Sequence, residues 1–423
     1  LISRGSCNFT SKVQNAQAAG AIAALIFGSD DTLVHMSLGT PSNINIPAIY
    51  IPASAALKLK AASNSTIRLR LRNEKRSIST DFSPLITMLF LSTALVALGS
   101  FWSARDSRRN YMSRLRRGES GAAQTQEDTP EDVAVLSSST VMGFVCLSSL
   151  SLVLLYFFIS SLIYVMLFIF MIGGAASLID LLSTFYCHLF PTIRNTSYTL
   201  EQLGSISLSS LIVSPPSILL SICWFVYRKS DPFGWILQDV LAIALLMSFF
   251  KTVRVPNMKV ATLLFSLTLI YDVFWVFISP YFFKESVMVS VATGGDTGES
   301  PPMLLVVPRF DGYLSILGLG DIVIPGLFIA FLLRFDFNAG YQTWKRGYFL
   351  PALFGYFLGM ILTEFAMVFM KSGQPALLYL APSVLSIVVC KSLLNRPSDF
   401  HRLWTSQPER QLFSKYVDRK ASL

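Results

Sequence analysis

The stretch GYLSILGLGDIVIPGLFIAFLL, residues 312–333, decides how this chain is read. It is apolar over the roughly 20 residues that a helix needs to cross the hydrocarbon of a bilayer. Its one ionisable residue, Asp321, follows Gly318-Leu319-Gly320 and precedes Pro325. A carboxyl inside such a span costs about 2.5–3.5 kcal/mol at the helix centre on insertion scales, so it needs a reason to be there. Two Gly in one helical turn cost about 1 kcal/mol each. They also strip side-chain bulk from beside the acid, which allows close backbone approach and leaves room for water and substrate.

The rest of the chain agrees with a membrane reading. Of 423 residues 52% are hydrophobic and only 14% charged, and the mean hydropathy is +0.54. A soluble domain carries about 25% charged residues, so a single water-soluble core is excluded. Nine apolar spans follow Asp81: 83–102, 138–159, 161–183, 205–227, 234–250, 260–279, 312–333, 348–370 and 375–394. The net charge of +9 is not a nucleic-acid signature, because no recognition motif accompanies it. Five Cys and three widely separated His contain no Cys-x-x-Cys, so neither a zinc framework nor a metal site is expected.

Charge sets the expected orientation. With the N-terminal region lumenal, the cytoplasmic loops and the tail counted from Lys391 hold twenty Lys and Arg, and the lumenal connections after the first span hold five (Arg228, Lys229, Lys284, Arg309, Lys371). That is the positive-inside bias. The loop 103–137 runs from basic (Arg105, Arg108, Arg109, Arg114, Arg116, Arg117) to acidic (Glu119, Glu127, Asp128, Glu131, Asp132). Attraction to anionic lipid is one reading of it, and a disordered linker obeying the orientation rule is the favoured one.

Residues 1–76 differ in texture. An Ala-rich helical stretch within Gln14–Phe27 runs into a strand-like apolar run, and a second short run, Ile46–Ile51, follows turn signals. That alternation suits a small α/β domain. The expected organisation is therefore this lumenal domain (1–76), a linker (77–82), three spans with the charged loop (83–204), six further spans (205–394) and a cytoplasmic tail (395–423). The chain begins at Leu1 with neither Met nor a signal peptide, which suggests a fragment. Sequons at Asn8 and Asn64 fall on the glycosylating side, and one at Asn195 does not.

Within the spans the acids are Asp180, Asp239, Asp272, Asp321 and Glu364. Asp180 and Asp239 lie near span ends, where snorkelling or a helix-end hydrogen bond accounts for them. Glu364 reads as a hydrogen-bonded acid between helices. Asp272 is eight residues before Pro280, a depth of about 12 Å, and Asp321 ten after Asp311, about 15 Å, on the adjacent antiparallel span. Two carboxyls meeting there cannot both ionise, so they hold one proton between them. An aspartic protease uses that state, and so does a proton relay. The Tyr271 hydroxyl is placed to donate to the pair, and Gln374-Pro375-Ala376-Leu377 opens the last span with backbone groups left free.

Tyr271-Asp272, Gly318-Leu319-Gly320-Asp321 and Gln374 to Leu380 (QPALLYL), in that order, resemble the signal peptide peptidase family of intramembrane aspartyl proteases related to presenilin. Arg4-Gly5-Ser6-Cys7-Asn8-Phe9, with Lys12, Ala16 and Ala19-Gly20-Ala21, is similar to the second half of a protease-associated domain, as found on signal-peptide-peptidase-like members. The resemblance implies nine membrane helices behind a partial protease-associated domain, with a lumenal N-terminus. Asp272 and Asp321 become the catalytic pair. Tyr271, Gly318, Leu319, Gly320, Gln374, Pro375, Ala376 and Leu377 shape the active site. Water attacks directly, without an acyl-enzyme or cofactor. The substrate, a type II single-span membrane protein, is unwound locally and pairs as a strand near the last span's entry. Residence in late endosome, lysosome, Golgi or plasma membrane follows, and a homo-oligomer is compatible. The rival from a different class is a proton- or cation-coupled transporter using the same acids. It gives no reason for the N-terminal segment or the Pro-Ala-Leu run.

Overall fold

The computed structural model describes residues 1–5, 7–28, 44–61, 83–116, 133–190, 197–200, 204–228, 233–283, 286–292, 301–308, 314–341, 346–370, 374–395 and 397–405. Asn64, Asn195, the linker 77–82, the acidic half of the loop 103–137 and the tail beyond 405 lie outside them. The chain divides into two compact units, Leu1–Ile78 and Ser79–Leu423.

The first unit is a three-stranded parallel sheet in sequential order, β1 (Ile2–Ser3), β2 (Ala24–Phe27) and β3 (Ala48–Ile51), with helices α1 (Phe9–Ala18) and α2 (Ala53–Ala61). Alternation on β2 sends Ala24 and Ile26 inward, where they meet Val13 of α1 and Tyr50 of β3. Phe9 closes this small core edge-on against the Tyr50 ring, 6.2 Å between centroids. The helical stretch is earlier than its composition suggests. Gly20, at φ 81°, turns the chain after α1 and frees the following residues to extend into β2.

In the second unit the helices are α3 (Ser83–Arg116), α4 (Ser138–Leu189), α5 (Leu208–Tyr227), α6 (Phe233–Thr252), α7 (Met258–Val273), α8 (Val287–Ala292), α9 (Gly320–Ala339), α10 (Phe349–Met370), α11 (Leu377–Asn395) and α12 (Pro397–Thr405). Short strands β4 (Ala134–Val135) and β7 (Val253–Arg254) pair with each other, as do β5 (Ser197–Leu200) and β6 (Gly204–Ser207). Among the described residues, eight helices are long and apolar enough to cross a membrane. The basic half of the expected loop 103–137 is not a loop: α3 continues as helix past residue 102 to Arg116. The expected pair of spans 138–159 and 161–183 is one 52-residue run, α4, in which Phe158 alone leaves helical geometry (φ −121°, ψ 30°). At 1.5 Å per residue α4 is about 78 Å long, against about 30 Å of hydrocarbon. It has the length of two crossings joined at a kink, with no turn residues between them to stop the helix.

The expected span 312–333 also needs correcting. Leu314–Gly318 is a strand, β9, paired antiparallel with β8 (Leu304–Pro308) in the register Leu304↔Gly318, Val306↔Ile316 and Pro308↔Leu314. The helix starts only at Gly320 and runs on to Ala339. A hydropathy window cannot separate the two, because a short apolar run suits a buried strand as well as a helix.

Helix α9 is the centre of the second unit. Of its apolar window 78% is buried, against 39% or less for every other crossing helix. Two glycines let its neighbours close in. A Cβ on Gly326 of α9 or on Gly99 of α3 would overlap the ring of Phe250 from α6, so this fully buried side chain is wedged between two bare backbones. The far end of α9 is tied by polar groups. Arg334 donates to Ser103 Oγ (2.7 Å), and Asp336 accepts from the backbone N–H groups of Tyr348 (2.7 Å) and Phe349 (2.8 Å). Gly340, at φ 68°, ends the helix. Beyond it, Asp399 of α12 accepts from the hydroxyls of Tyr341 (2.7 Å) and Tyr348 (3.2 Å).

Gly326→Ala is therefore expected to destabilise the second unit by about 1–3 kcal/mol through overpacking. Thermal unfolding in detergent measures this, and Phe250→Leu added to Gly326→Ala restores part of the loss by making room.

Candidate active site

Asp272 lies one residue from the C-terminal end of α7, which loosens into a π-helical stretch (Phe274–Ile278) and a 3₁₀ turn (Ser279–Tyr281). It is 6% exposed. Asp321 is the second residue of α9 and is partly buried. The two carboxyls are close enough for their charges to act on each other, and Asp272 also accepts a hydrogen bond from the Leu377 backbone N–H. That N–H belongs to the first residue of α11, among the helix-end donors that have no partner within the helix. Three elements thus converge on the acids: the end of α7 and the beginnings of α9 and α11.

Local sequence explains each placement. Pro325 has no N–H to offer the carbonyl four residues back, which is that of Asp321, so the first turn of α9 is held through Leu319, whose carbonyl accepts from Ile322 (3.1 Å) and Val323 (2.9 Å). Pro375 and Ala376, both buried, turn the chain into α11. Their carbonyls accept from Leu378 and Tyr379 (3.1 Å each), which leaves the Leu377 N–H directed at Asp272. Gln374 accepts from the Tyr379 hydroxyl at 3.4 Å and braces the same turn.

The glycines do not sit as expected. Gly318 ends β9 and Gly320 begins α9, so they flank a strand-to-helix junction and do not share a helical turn. A Cβ on Gly318 would come within 3.3 Å of Asp321 Oδ2. Gly320 is exposed, with nothing within 4 Å of a built Cβ, so it gives no helix–helix approach and instead borders open space beside the acid. The depth count of ten helical residues from Asp311 fails for the same reason, since 314–318 advance as a strand. Tyr271 packs edge-on against Trp275 (6.4 Å), and its hydroxyl makes no hydrogen bond to either acid.

Two of the other intramembrane acids, Asp180 and Asp239, have partners of their own. Asp180 pairs with Lys251 at 2.6 Å. Asp239 of α6 accepts from the Val306 N–H (3.0 Å), and its neighbour Gln238 donates to the Leu304 carbonyl (3.0 Å). Glu364 lies half-buried on α10. The Asp239 contact fixes the polarity of the hairpin. Since Val306 turns its N–H toward α6, Val306↔Ile316 is a non-hydrogen-bonded pair, and Ile316 directs both backbone groups away from β8. The outer edge of β9 carries no further strand among the described residues.

Three features were missed at the sequence level. The hairpin was hidden in apolar runs. Tyr356 of α10, fully buried and near enough to Asp321 to feel its charge, carries no local signal. The third was legible: Gly355 and Gly359 form a Gly-x-x-x-Gly pattern that brings α10 against α11, with a Cβ on Gly359 only 3.0 Å from the Leu380 Cα. Among the described residues no three His, Cys, Asp or Glu side chains cluster as metal ligands.

Fold and site together define a multi-pass helical membrane protein with two acids brought together from different helices, preceded by a small α/β unit. Comparison with known proteins gives this class its family. The family described as signal peptide peptidase matches residues 126–410, and the PA domain matches residues 1–59. Signal peptide peptidase-like 2 of Arabidopsis thaliana is 38% identical over 97% of this chain and 77% of its own length. Signal peptide peptidase-like 5 of the same plant is 37% identical over 96% and 78%, and signal peptide peptidase-like 2B of Mus musculus is 32% identical over 96% and 71%. The chain belongs to the signal peptide peptidase family and is an intramembrane aspartic protease.

Two glycine variants separate packing against the acid from access to it. Gly318→Ala is expected to lower cleavage of a membrane-embedded reporter by about tenfold or more, since small displacements of a reacting group are costly. Gly320→Leu is expected to lower cleavage with its unfolding temperature unchanged, because its side chain enters space that the protein itself does not occupy.

Proposed function

We propose that Asp272 and Asp321 are the catalytic pair and that the substrate is a type II single-span membrane protein, cut within its span. The single observation that carries this reading is the convergence on one point of two buried or half-buried carboxyls and the Leu377 N–H. The pair holds one proton. The ionised carboxyl takes a proton from water as the water oxygen bonds to the scissile carbonyl carbon, while the protonated carboxyl gives its proton to the carbonyl oxygen. Collapse of the resulting gem-diol breaks the C–N bond, with a proton passing to the departing nitrogen.

A helical peptide bond is shielded from this attack, so the substrate must unwind first. The outward-facing N–H and C=O of Ile316 support strand addition along β9, which leads within a few residues to Asp321. Gln238 and Asp239 hold the opposite edge of the hairpin and so position the strand that receives the substrate. The N-terminal unit is lumenal on the charge asymmetry described above, and Asn8 is a glycan acceptor there. It is exposed, and its side chain makes no capping hydrogen bond to α1. Residence in late endosome, lysosome, Golgi or plasma membrane, and homo-oligomers, belong to the same reading.

The test is cleavage of a type II reporter fragment at matched membrane expression. Asp272→Asn and Asp321→Asn are each expected to remove nearly all product with folding intact, because members of one catalytic unit are not additive. Equal cleavage by wild type and either variant would overturn the assignment. Asp239→Asn keeps an acceptor oxygen for Val306 and retains turnover. Asp239→Ala combined with Gln238→Ala loses the hairpin's anchor, and turnover falls several-fold.

A further inference from the structure

A cavity of about 330 Å³ opens between the ends of three membrane helices, lined by Trp102, Arg105, Asp106 and Arg109 of α3, Thr184, Phe185 and His188 of α4, and Lys251 of α6. It lies well away from the acid pair in sequence and shares none of its residues. We propose that it binds the phosphate-bearing headgroup of an anionic lipid.

Charge is the first argument. Each acid near the cavity is already matched: Asp180 by Lys251 at 2.6 Å and Asp106 by Arg254 at 3.6 Å. Arg105 and Arg109 are then surplus. They stand four residues apart on one face of α3 and have no acidic partner among the described residues. His188 adds a third donor from the opposite wall. Cations that merely obey the orientation rule scatter through loops, whereas this arginine pair shares one concave site with donor groups from two other helices, His188 of α4 and Lys251 of α6. The carboxyl-terminal ends of α4 and α6 also abut the cavity, and their partial negative charge would repel an anion. The arginine pair is what reverses that sign.

Shape and surroundings supply the second argument. Ring side chains, Trp102 and Phe185, line the same cavity as the guanidinium groups, and aromatic rings of this kind collect at the membrane–water boundary. Phe185 is 56% exposed, so the site has an open apolar side along which acyl chains would leave it. The volume is at the lower end of small-ligand pockets, enough for a phosphorylated headgroup but not for a folded peptide. Basic pockets between membrane helices on the cytoplasmic side bind such headgroups.

The experiment uses the full chain in phosphatidylcholine nanodiscs, with retained ligand read by native mass spectrometry. The probes are dioctanoyl phosphatidylinositol phosphate, dioctanoyl phosphatidylcholine, free inositol phosphate and inorganic phosphate. Wild type is expected to retain the phosphoinositide and not the phosphatidylcholine, and R105Q/R109Q to weaken retention by about tenfold or more. R108Q is the internal control, since Arg108 is exposed on the same turns but does not line the cavity, and it should match wild type. Equal retention by wild type and R105Q/R109Q overturns the site. An R108Q loss as large as that of the double variant overturns it in favour of diffuse surface charge. Free inositol phosphate or inorganic phosphate binding as tightly as the lipid overturns the lipid assignment.

Discussion

Backbone groups on an open strand edge cannot be left facing hydrocarbon. Within a bilayer they are tolerated only where they are buried in protein or line a water-filled cavity. Ile316 turns its N–H and C=O outward from a two-stranded ladder that ends two residues short of Asp321. The edge therefore needs water or a partner strand beside it, and with Asp321 in the proposed catalytic pair, hydrolysis needs water at the same place. One constraint accounts for both the irregular backbone and the chemistry. It also explains why α6 spends two polar side chains, Gln238 and Asp239, on the other edge of the hairpin. Those groups satisfy β8 inside the protein, while the outer edge of β9 has no strand beside it among the described residues.

Much of this arrangement was legible. Length and apolar composition found the crossing helices, and scarcity made the acids conspicuous: a carboxyl among Leu, Ile and Phe needs an explanation. Chain order, with Tyr-Asp before Gly-x-Gly-Asp and Pro-Ala-Leu last, led to the family. What could not be read was how each apolar run is built. LSILG and LLVVP have the hydropathy of helix and the shape of strands, and only their pairing with each other distinguishes the two. The roles of Gly318 and Gly320 followed from that error, because a glycine at a strand–helix junction and one inside a helix look identical in one dimension. Tyr356 was beyond reach for a different reason: it meets the site across α10, and nothing in its own neighbourhood records that contact. Gly355 and Gly359 could have been found, since their spacing alone puts two bare backbone positions on one helix face.

The N-terminal unit obeys different rules from the rest. Its core is a handful of side chains, Val13, Ala24, Ile26 and Tyr50, under a three-stranded parallel sheet. Small parallel sheets of this kind are stabilised by burial on both faces. Residues such as Ile22 (90% exposed) instead lie on the outside.

The two ends of α9 are fastened by different means. At its start, Leu319 donates to the Met303 carbonyl beside the hairpin, and at its finish Arg334, Asp336 and the Tyr341–Tyr348–Asp399 group bind it to α3, to the entry of α10 and to α12. Pinned at top and bottom and enclosed along its length, α9 behaves as a fixed axle. A helix held in this way is the wrong part to slide or tilt when a bulky substrate arrives. Movement that admits one is therefore expected of the less enclosed helices around it, which would leave Asp321 in place.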